Sequence, residues 1–509
     1  MSIEPAGRGE ASFASGGITR GPDGVLTYEG LAPSLVHSLR GRAENHPEVE
    51  AVVEVDGQRL TYGQLWERAG RVAGGLRAAG VQPGDRVSIR NPAGVSWVLA
   101  FYGTLLAGAV AVPVNTRFAE REVRYVLDDA GGTYDFAPDA PLPDGEHCAV
   151  ENAEPDDLAA IFYTSGTTGS PKGALTTHRA FLANCENARR CAEIPAEMGG
   201  EFRTLISVPL FHVTGCNTQL LVALHVGGTA VVLPALDKAV LLRTIAGERI
   251  NFLVTVPAVY KLLLDDPAFA EADTSSVRWA AYGGAPIATA VVRQIIAAFP
   301  QAKAYNGFGL TETASLLTML PHDYAAEHAD SVGFAVPVVE LAVDGGGRSG
   351  ELLARGPNIT HGYWNKPEAT EAAFTDGWLR TGDVARIDDD GLVYILDRAK
   401  DMINRGGENV YCVEVENALF EVPGVADAAV VAVPDEVMGE KVGAVVVSAP
   451  GADLDPAQLA AALQELLADF KIPQFISIRT DPLPRNPGGK LLKKQLRTDT
   501  TWGAQLRRL

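Results

Sequence analysis

Leu158-Ala-Ala-Ile-Phe-Tyr-Thr-Ser-Gly-Thr-Thr-Gly-Ser-Pro-Lys-Gly173 changes character partway along. Its first six residues are a short apolar run of the kind that forms a strand buried on both faces. The ten that follow are glycines and hydroxyl residues with one proline and one lysine. Gly166, Gly169 and Gly173 let the backbone turn tightly and bring its amides close to an anion. Thr164, Ser165, Thr167, Thr168 and Ser170 add donors, and Lys172 adds positive charge. By composition this is a phosphate cradle. It is not a Walker A loop, because Pro171 stands where glycine precedes the lysine and no Ser or Thr follows Lys172. An ordinary Ser/Gly surface loop has no need of so many donors.

Working outward, a helix is expected over residues 179–192, after this loop. Further strands fit residues 204–208, 230–233, 252–256 and 279–282. Helix alternating with buried strand implies an α/β fold with largely parallel sheets and crossover helices. The material changes beyond Arg398: 426–433 and 442–447 read as strands, and 454–470 as a helix capped by Asp455 with Pro456 in its first turn. The expected organisation is a flexible tail over 1–25, a large domain of mixed and parallel sheets flanked by helices over 26–397, and a small, mobile α+β domain over 398–509. The tail is rich in Gly, Ser and charge, which excludes a secretory signal.

Residues 92–115 carry no charge and are long enough to span a bilayer. Gly103, Gly108 and Pro113 divide them into a buried helix over 97–106 and a strand over 109–114, so no integral membrane span is expected. The chain has 509 residues, with 43 Lys and Arg against 63 Asp and Glu, a net charge of −20. That balance argues against nucleic-acid binding, which needs a broad basic surface. The end of the chain runs the other way, with Lys471, Arg479, Arg485, Lys490, Lys493, Lys494, Arg497, Arg507 and Arg508 against Asp481 and Asp499. A solvated basic tail is the plain reading of that cluster. Five cysteines without CxxC or zinc-type spacing suggest neither a disulfide framework nor a metal site, and fit a reducing cytoplasm.

Three more clusters carry chemistry. In Tyr305-Asn-Gly-Phe-Gly-Leu-Thr-Glu-Thr-Ala314, Gly307 and Gly309 permit close backbone approach and Phe308 offers a ring face. Thr311 and Glu312 supply hard oxygens suited to Mg²⁺ against phosphate. Gly377-Trp-Leu-Arg-Thr-Gly-Asp383 ends in an acid after a tight turn, suited to two ribose hydroxyls or simply to stabilising the turn. It is followed by Asp397-Arg-Ala-Lys-Asp401 and Arg405-Gly-Gly-Glu-Asn409. Pro484-Arg-Asn-Pro-Gly-Gly-Lys490 places a lone lysine on a glycine arm.

TSGTTGSPKG, GFGLTET, WLRTGD, DRAKDMINRGGENVY and PRNPGGK, in this order, resemble the adenylate-forming superfamily of acyl-CoA synthetases, adenylation domains and firefly luciferase. The resemblance runs from about residue 60 to residue 492. It includes Leu60-Thr-Tyr62, Val112-Pro-Val-Asn-Thr-Arg117, Gly350-Glu-Leu352 and Gly362-Tyr-Trp364. It implies two steps: an acid attacks the α-phosphate of ATP, releasing pyrophosphate, and a thiol then displaces AMP from the acyl-adenylate.

By the same resemblance, Thr164, Ser165, Gly166, Thr167, Thr168, Gly169 and Lys172 hold the β- and γ-phosphates, and Thr167 with Glu312 places Mg²⁺. Gly283, Gly284 and Ala285 with Tyr305, Asn306, Gly307, Phe308 and Gly309 form the adenine and acyl walls, and Thr311 belongs to the same cofactor site. Asp383 and Arg398 hold the ribose, with Ile395 in the same nucleotide site. Lys490 bridges carboxylate and α-phosphate, Lys400 is the hinge of the small domain, and Arg405, Gly406, Gly407 and Glu408 line the thiol tunnel. His212, Val213, Gly215, Cys216, Gly309 and Leu310 line the acyl pocket. His212 sits near the substrate carboxylate or gates the thiol, with a packing role as its alternative.

Amino-acid-activating relatives carry an Asp for the substrate ammonium in the segment that here reads Pro209-Leu-Phe-His-Val-Thr-Gly-Cys216, which has no acid. A fatty or aryl acid is therefore favoured over an amino acid. No phosphopantetheine attachment pattern is present, which favours coenzyme A as acceptor. A ligase loading a separate acyl carrier protein, a luciferase-like monooxygenase and a non-catalytic nucleotide-binding module are the alternatives. The chain departs from the family in three places. The stretch 117–164 is short, which bears on substrate access or a homodimer surface; Cys412 stands where Pro or a small residue is common; and Phe308 replaces Tyr.

Overall fold

The computed structural model describes residues 3–7, 13–164, 171–196, 198–285, 287, 289–398, 401–405, 408–435, 437–485, 491–503 and 505–506. The chain forms two compact units. One comprises Met1–Ala342, Leu353–Leu379 and Asp389–Leu392, and the other Val343–Leu352, Arg380–Asp388 and Val393–Leu509.

In the first unit a nine-stranded sheet runs, edge to edge, through Phe334–Ala335, Thr318–Leu320, Lys303–Phe308, Trp279–Gly283, Phe252–Thr255, Arg203–Ile206, Thr229–Val232, Glu50–Glu54 and Arg59–Thr61. Its centre is parallel, and antiparallel pairings close both edges. The central strands are continuous apolar runs, as a sheet covered on both faces requires. A five-stranded sheet carries Tyr134–Phe136, Arg86–Ile89, Val110–Pro113, Leu158–Thr164 and Lys172–Thr177, in that order.

The uncharged stretch resolves as expected into the helix Val95–Leu106, buried at every position but Ser96, and the strand Val110–Pro113. A helix apolar all round is a core helix when its length falls short of a bilayer. Among the described residues no helix is long and apolar enough to cross a membrane.

The helix read at residues 179–192 is present as His178–Cys191, but a strand not read from the sequence precedes it. The chain does not pass from loop to helix but returns as the strand Lys172–Thr177, antiparallel to Leu158–Thr164, with Thr164 opposite Lys172. The helix His178–Cys191 begins only after Thr177, whose hydroxyl accepts from the Ala180 N–H. The run Gly-Ala-Leu-Thr-Thr alternates too briefly to register as a strand, yet Ala174, Thr176 and Thr177 are buried within the sheet.

In the second unit Val425–Asp435 and Gly439–Ser448 form a long hairpin. Phe475–Arg479 is added in parallel to the latter strand. Helices Cys412–Phe420 and Pro456–Leu463 pack Val415, Leu419, Leu459 and Leu463 on this sheet. Asp455 caps the second helix as read, accepting from the Ala457 and Gln458 N–H groups. That helix stops at Leu463 instead of running to 470. Leu463 completes its buried face, and Leu466 is 46% exposed. Nor is the basic C-terminal cluster simply solvated. Lys471 pairs with Glu414, Arg485 with Asp427, Lys493 with Glu416 and Arg497 with Asp401.

Candidate active site

Ser165, Gly166, Thr167, Thr168, Gly169, Lys400, Gly406, Gly407 and Lys490 lie outside the described residues. What flanks the cradle is defined. The Thr164 hydroxyl donates to the Lys172 carbonyl at 3.4 Å across the two strands. The Lys172 ammonium stands 5.1 Å from the centre of the Tyr363 ring. The Tyr363 hydroxyl in turn donates to Glu312 Oε1 at 2.8 Å. Burial, reinforced by the neighbouring carboxylate, raises the Tyr363 pKa, so the phenol stays protonated and remains a donor.

Tyr363 joins two motifs far apart in sequence because its segment is laced to both. The Leu175 N–H donates to the Gly362 carbonyl at 3.1 Å and the Trp364 N–H to the Gly173 carbonyl at 2.8 Å. On the other side the Thr360 N–H donates to the Glu312 carbonyl at 2.7 Å. The sequence reading took Tyr363 only as part of a matching fragment and assigned it no role. A tyrosine three residues from Thr360 carries no local signal that its hydroxyl reaches a distant glutamate.

Gly283 and Gly307 face each other on neighbouring parallel strands. A Cβ on Gly283 would lie 2.2 Å from the Gly307 carbonyl oxygen, so only glycine fits. Gly284 follows with φ of +76°, opening the turn that leads to Ala285. Asn306 donates from its amide to the Ser331 carbonyl at 3.2 Å. After Phe308 the chain tightens into a 3₁₀ turn over Thr311–Thr313, with Leu310 buried before it.

His212 packs against Phe211 with ring centres 4.6 Å apart and planes tilted by 55°, and its carbonyl accepts from the Cys216 N–H. Val213 then opens a π-helical turn over Thr214–Leu220. Such turns are rare and tend to occur at functional sites. Gly215 is required there, since a Cβ would lie 2.4 Å from the Pro209 carbonyl oxygen. Cys216 is fully buried, and burial holds its thiol far above the usual range, which leaves it a neutral packing group.

In the second unit Asp383 and Arg398 are cross-strand partners on Trp378–Ile387 and Val393–Arg398. Arg398 Nε lies 2.6 Å from Asp383 Oδ1, and the carboxylate is 3% exposed. Ile395 stands opposite Ala385 one turn of the pleat away. Arg405 and Glu408 face each other across the short antiparallel pair Ile403–Arg405 and Glu408–Val410.

Among the described residues no group of three or more His, Cys, Asp or Glu side chains forms a metal cage. The oxygen donors on Glu312 and Thr311 fit Mg²⁺ of the kind held mainly by phosphates and one carboxylate.

Two family models match the chain: AMP-binding enzyme over residues 39–146 and 132–364, and AMP-binding enzyme C-terminal domain over 414–490. The feruloyl-CoA synthase of an Amycolatopsis species is 37% identical over 488 residues, covering 90% of this chain and 97% of that protein. The long-chain-fatty-acid–CoA ligase FadD13 of Mycobacterium tuberculosis is 36% identical over 497 residues, with the same coverage of 90% and 97%. The crystal structure of ATP-bound MatB from Rhodopseudomonas palustris superimposes with a TM-score of 0.83 at 31% identity, covering 91% of this chain and 99% of that one. Matched by these models over most of its length and by these relatives over about nine-tenths of it, the chain belongs to the AMP-binding enzyme family, in its acyl-CoA synthetase branch.

Proposed function

We propose that the chain activates a fatty or aryl carboxylic acid with ATP and passes the acyl group to coenzyme A. The observation that carries this reading is the Lys172–Tyr363–Glu312 chain, which ties the lysine of the phosphate cradle to the carboxylate suited to Mg²⁺. In the first half-reaction a carboxylate oxygen attacks the α-phosphorus and the bond to the bridging β-oxygen breaks, so pyrophosphate leaves. In the second, the thiol sulfur attacks the acyl carbonyl carbon and AMP leaves with the anhydride oxygen.

Each proposed role follows the charge that moves. Lys172 and the 164–173 loop neutralise the departing pyrophosphate, and Lys490 stabilises charge shared between carboxylate and α-phosphate. Asp383 and Arg398 hold the ribose. Mg²⁺, when bound through Glu312, adds charge neutralisation on the phosphate oxygens. The small domain, divided from the large one near residue 398, turns about Lys400 between half-reactions, and Arg405 to Glu408 line the thiol path. His212, Val213, Gly215, Cys216, Gly309 and Leu310 enclose the acyl chain.

The absence of an acid from Pro209 to Cys216 supports a substrate without an α-ammonium group. A cytoplasmic setting fits five cysteines present as free thiols. Homodimer formation belongs to the same proposal and is tested by light scattering.

The decisive experiment measures acid-dependent pyrophosphate release over a panel of fatty, aryl and amino acids, with coenzyme A or an acyl carrier protein as acceptor. Acyl-CoA formation from a fatty or aryl acid is expected. Release only with amino acids, or transfer only to carrier protein, overturns the corresponding part.

A further inference from the structure

The loop that carries Glu312 is held in a backbone shape it would not choose. Ala314 has φ of +49° and Ser315 φ of +123°, although neither is glycine. Such residues persist only where their surroundings over-determine them. Here three asparagines do so, each with no exposed surface. Asn184 Oδ1 accepts from the Leu316 N–H at 3.0 Å, and Asn217 Nδ2 donates to the Ala314 carbonyl at 2.9 Å. Asn358 Nδ2 donates twice, to the carbonyls of Thr313 at 2.9 Å and Leu316 at 2.8 Å.

Asn358 differs from the other two in where its segment leads. Two residues on, the Thr360 N–H holds the Glu312 carbonyl, and five residues on, the Tyr363 hydroxyl holds the Glu312 carboxylate. One short segment thus grips the loop before, at and after its turn. We infer that Asn358 is a positioning residue for Glu312, aiming its carboxylate by clamping the Thr313 and Leu316 carbonyls from the segment that also bears Tyr363. It contacts no substrate and acts through the loop. The inference rests on the proposed role of Glu312 toward Mg²⁺ of the nucleotide.

The test uses the full chain and Asn358→Leu, nearly isosteric but without donors, beside Glu312→Gln and the double variant. Calorimetric binding of ATP is measured across a Mg²⁺ titration, together with the melting temperature. Asn358→Leu is expected to raise the Mg²⁺ concentration needed for half-maximal tightening of ATP binding by about tenfold, the scale on which partners of a metal ligand act. ATP binding without Mg²⁺ stays unaltered, and the double variant matches Glu312→Gln alone, because both changes act on one carboxylate.

A lowered melting temperature with an unmoved Mg²⁺ dependence, or effects that multiply in the double variant, overturns the inference and leaves Asn358 a packing residue. If Glu312→Gln itself leaves the Mg²⁺ dependence unmoved, the reading of Glu312 fails instead. Should Asn358→Leu not fold, Asn358→Ser, which reaches at most one of the two carbonyls, is expected to shift the dependence in the same direction. An unmoved dependence in Asn358→Ser counts against the inference.

Discussion

Lys493 and Glu416 meet inside the second unit, 2.8 Å from Nζ to Oε1, with the side chains 13% and 8% exposed. The same carboxylate oxygen accepts from the Val430 N–H at 2.8 Å. Burial alone would pull the ammonium toward neutrality, but Glu416, Cys412 and Asp397 outweigh it and raise the Lys493 pKa. Lys493→Met would strand a buried carboxylate, a change that costs about 3–5 kcal/mol where one partner of such a pair is removed. Urea unfolding should show that loss. The double change Glu416→Gln with Lys493→Met, which keeps an acceptor for Val430, should restore most of it. Equal stability of the single and double variants would mean that the pair does little.

Lys490→Ala should slow adenylate formation by roughly 10²–10³, the usual scale for one donor to a transition-state charge. Thioester formation from a supplied acyl-adenylate should be spared, because that step no longer involves the α-phosphate as electrophile. Single-turnover assays of the two half-reactions decide this, and a parallel loss in both would remove the assigned role.

The contrast between these two lysines shows what was legible in the sequence. Lys490 stands out by its glycine arm, a local pattern. Lys493, three residues on, looks like one more charge in a basic stretch, and its partner Glu416 lies in a different helix. Strands buried on both faces were readable because they are continuous apolar runs, as at residues 158–163 and 252–256. The Lys172–Thr177 strand was not, because Lys172, Gly173, Thr176 and Thr177 leave it no continuous apolar run. At the site, glycines and acids declared themselves by type and spacing. Tyr363, Asn184, Asn217 and Asn358 did not, since their significance lies in which distant backbone group or carboxylate they reach.

Asp383→Asn should weaken ATP and AMP binding by about 10–100-fold, the equivalent of the 1.5–3 kcal/mol attached to a hydrogen bond with a charged group. Arg398 keeps access to water with 37% of its side chain exposed, so the variant should fold normally. The loss should appear in KM for ATP more than in the rate at saturation. Unchanged nucleotide affinity would return Asp383 to the role of a turn residue.

His178 provides a stability test independent of the active site. It opens the helix His178–Cys191, is 4% exposed, and accepts from the Leu35 N–H through Nδ1 at 3.4 Å. Burial lowers its pKa from 6.5 to about 4, with Asp157 opposing and His37 assisting that fall. The unfolded chain therefore takes up a proton at a pH where the folded one does not. Stability from this group is intact well above pH 6.5 and is lost as pH falls toward 4. Linkage puts the loss at about 2 kcal/mol between pH 8 and pH 5. His178→Asn, whose carbonyl oxygen can accept from Leu35 and does not titrate, should flatten the unfolding free energy over that interval relative to the unaltered chain. Parallel pH profiles for the two proteins would show that His178 takes up its proton over the same pH range in the folded and unfolded chain.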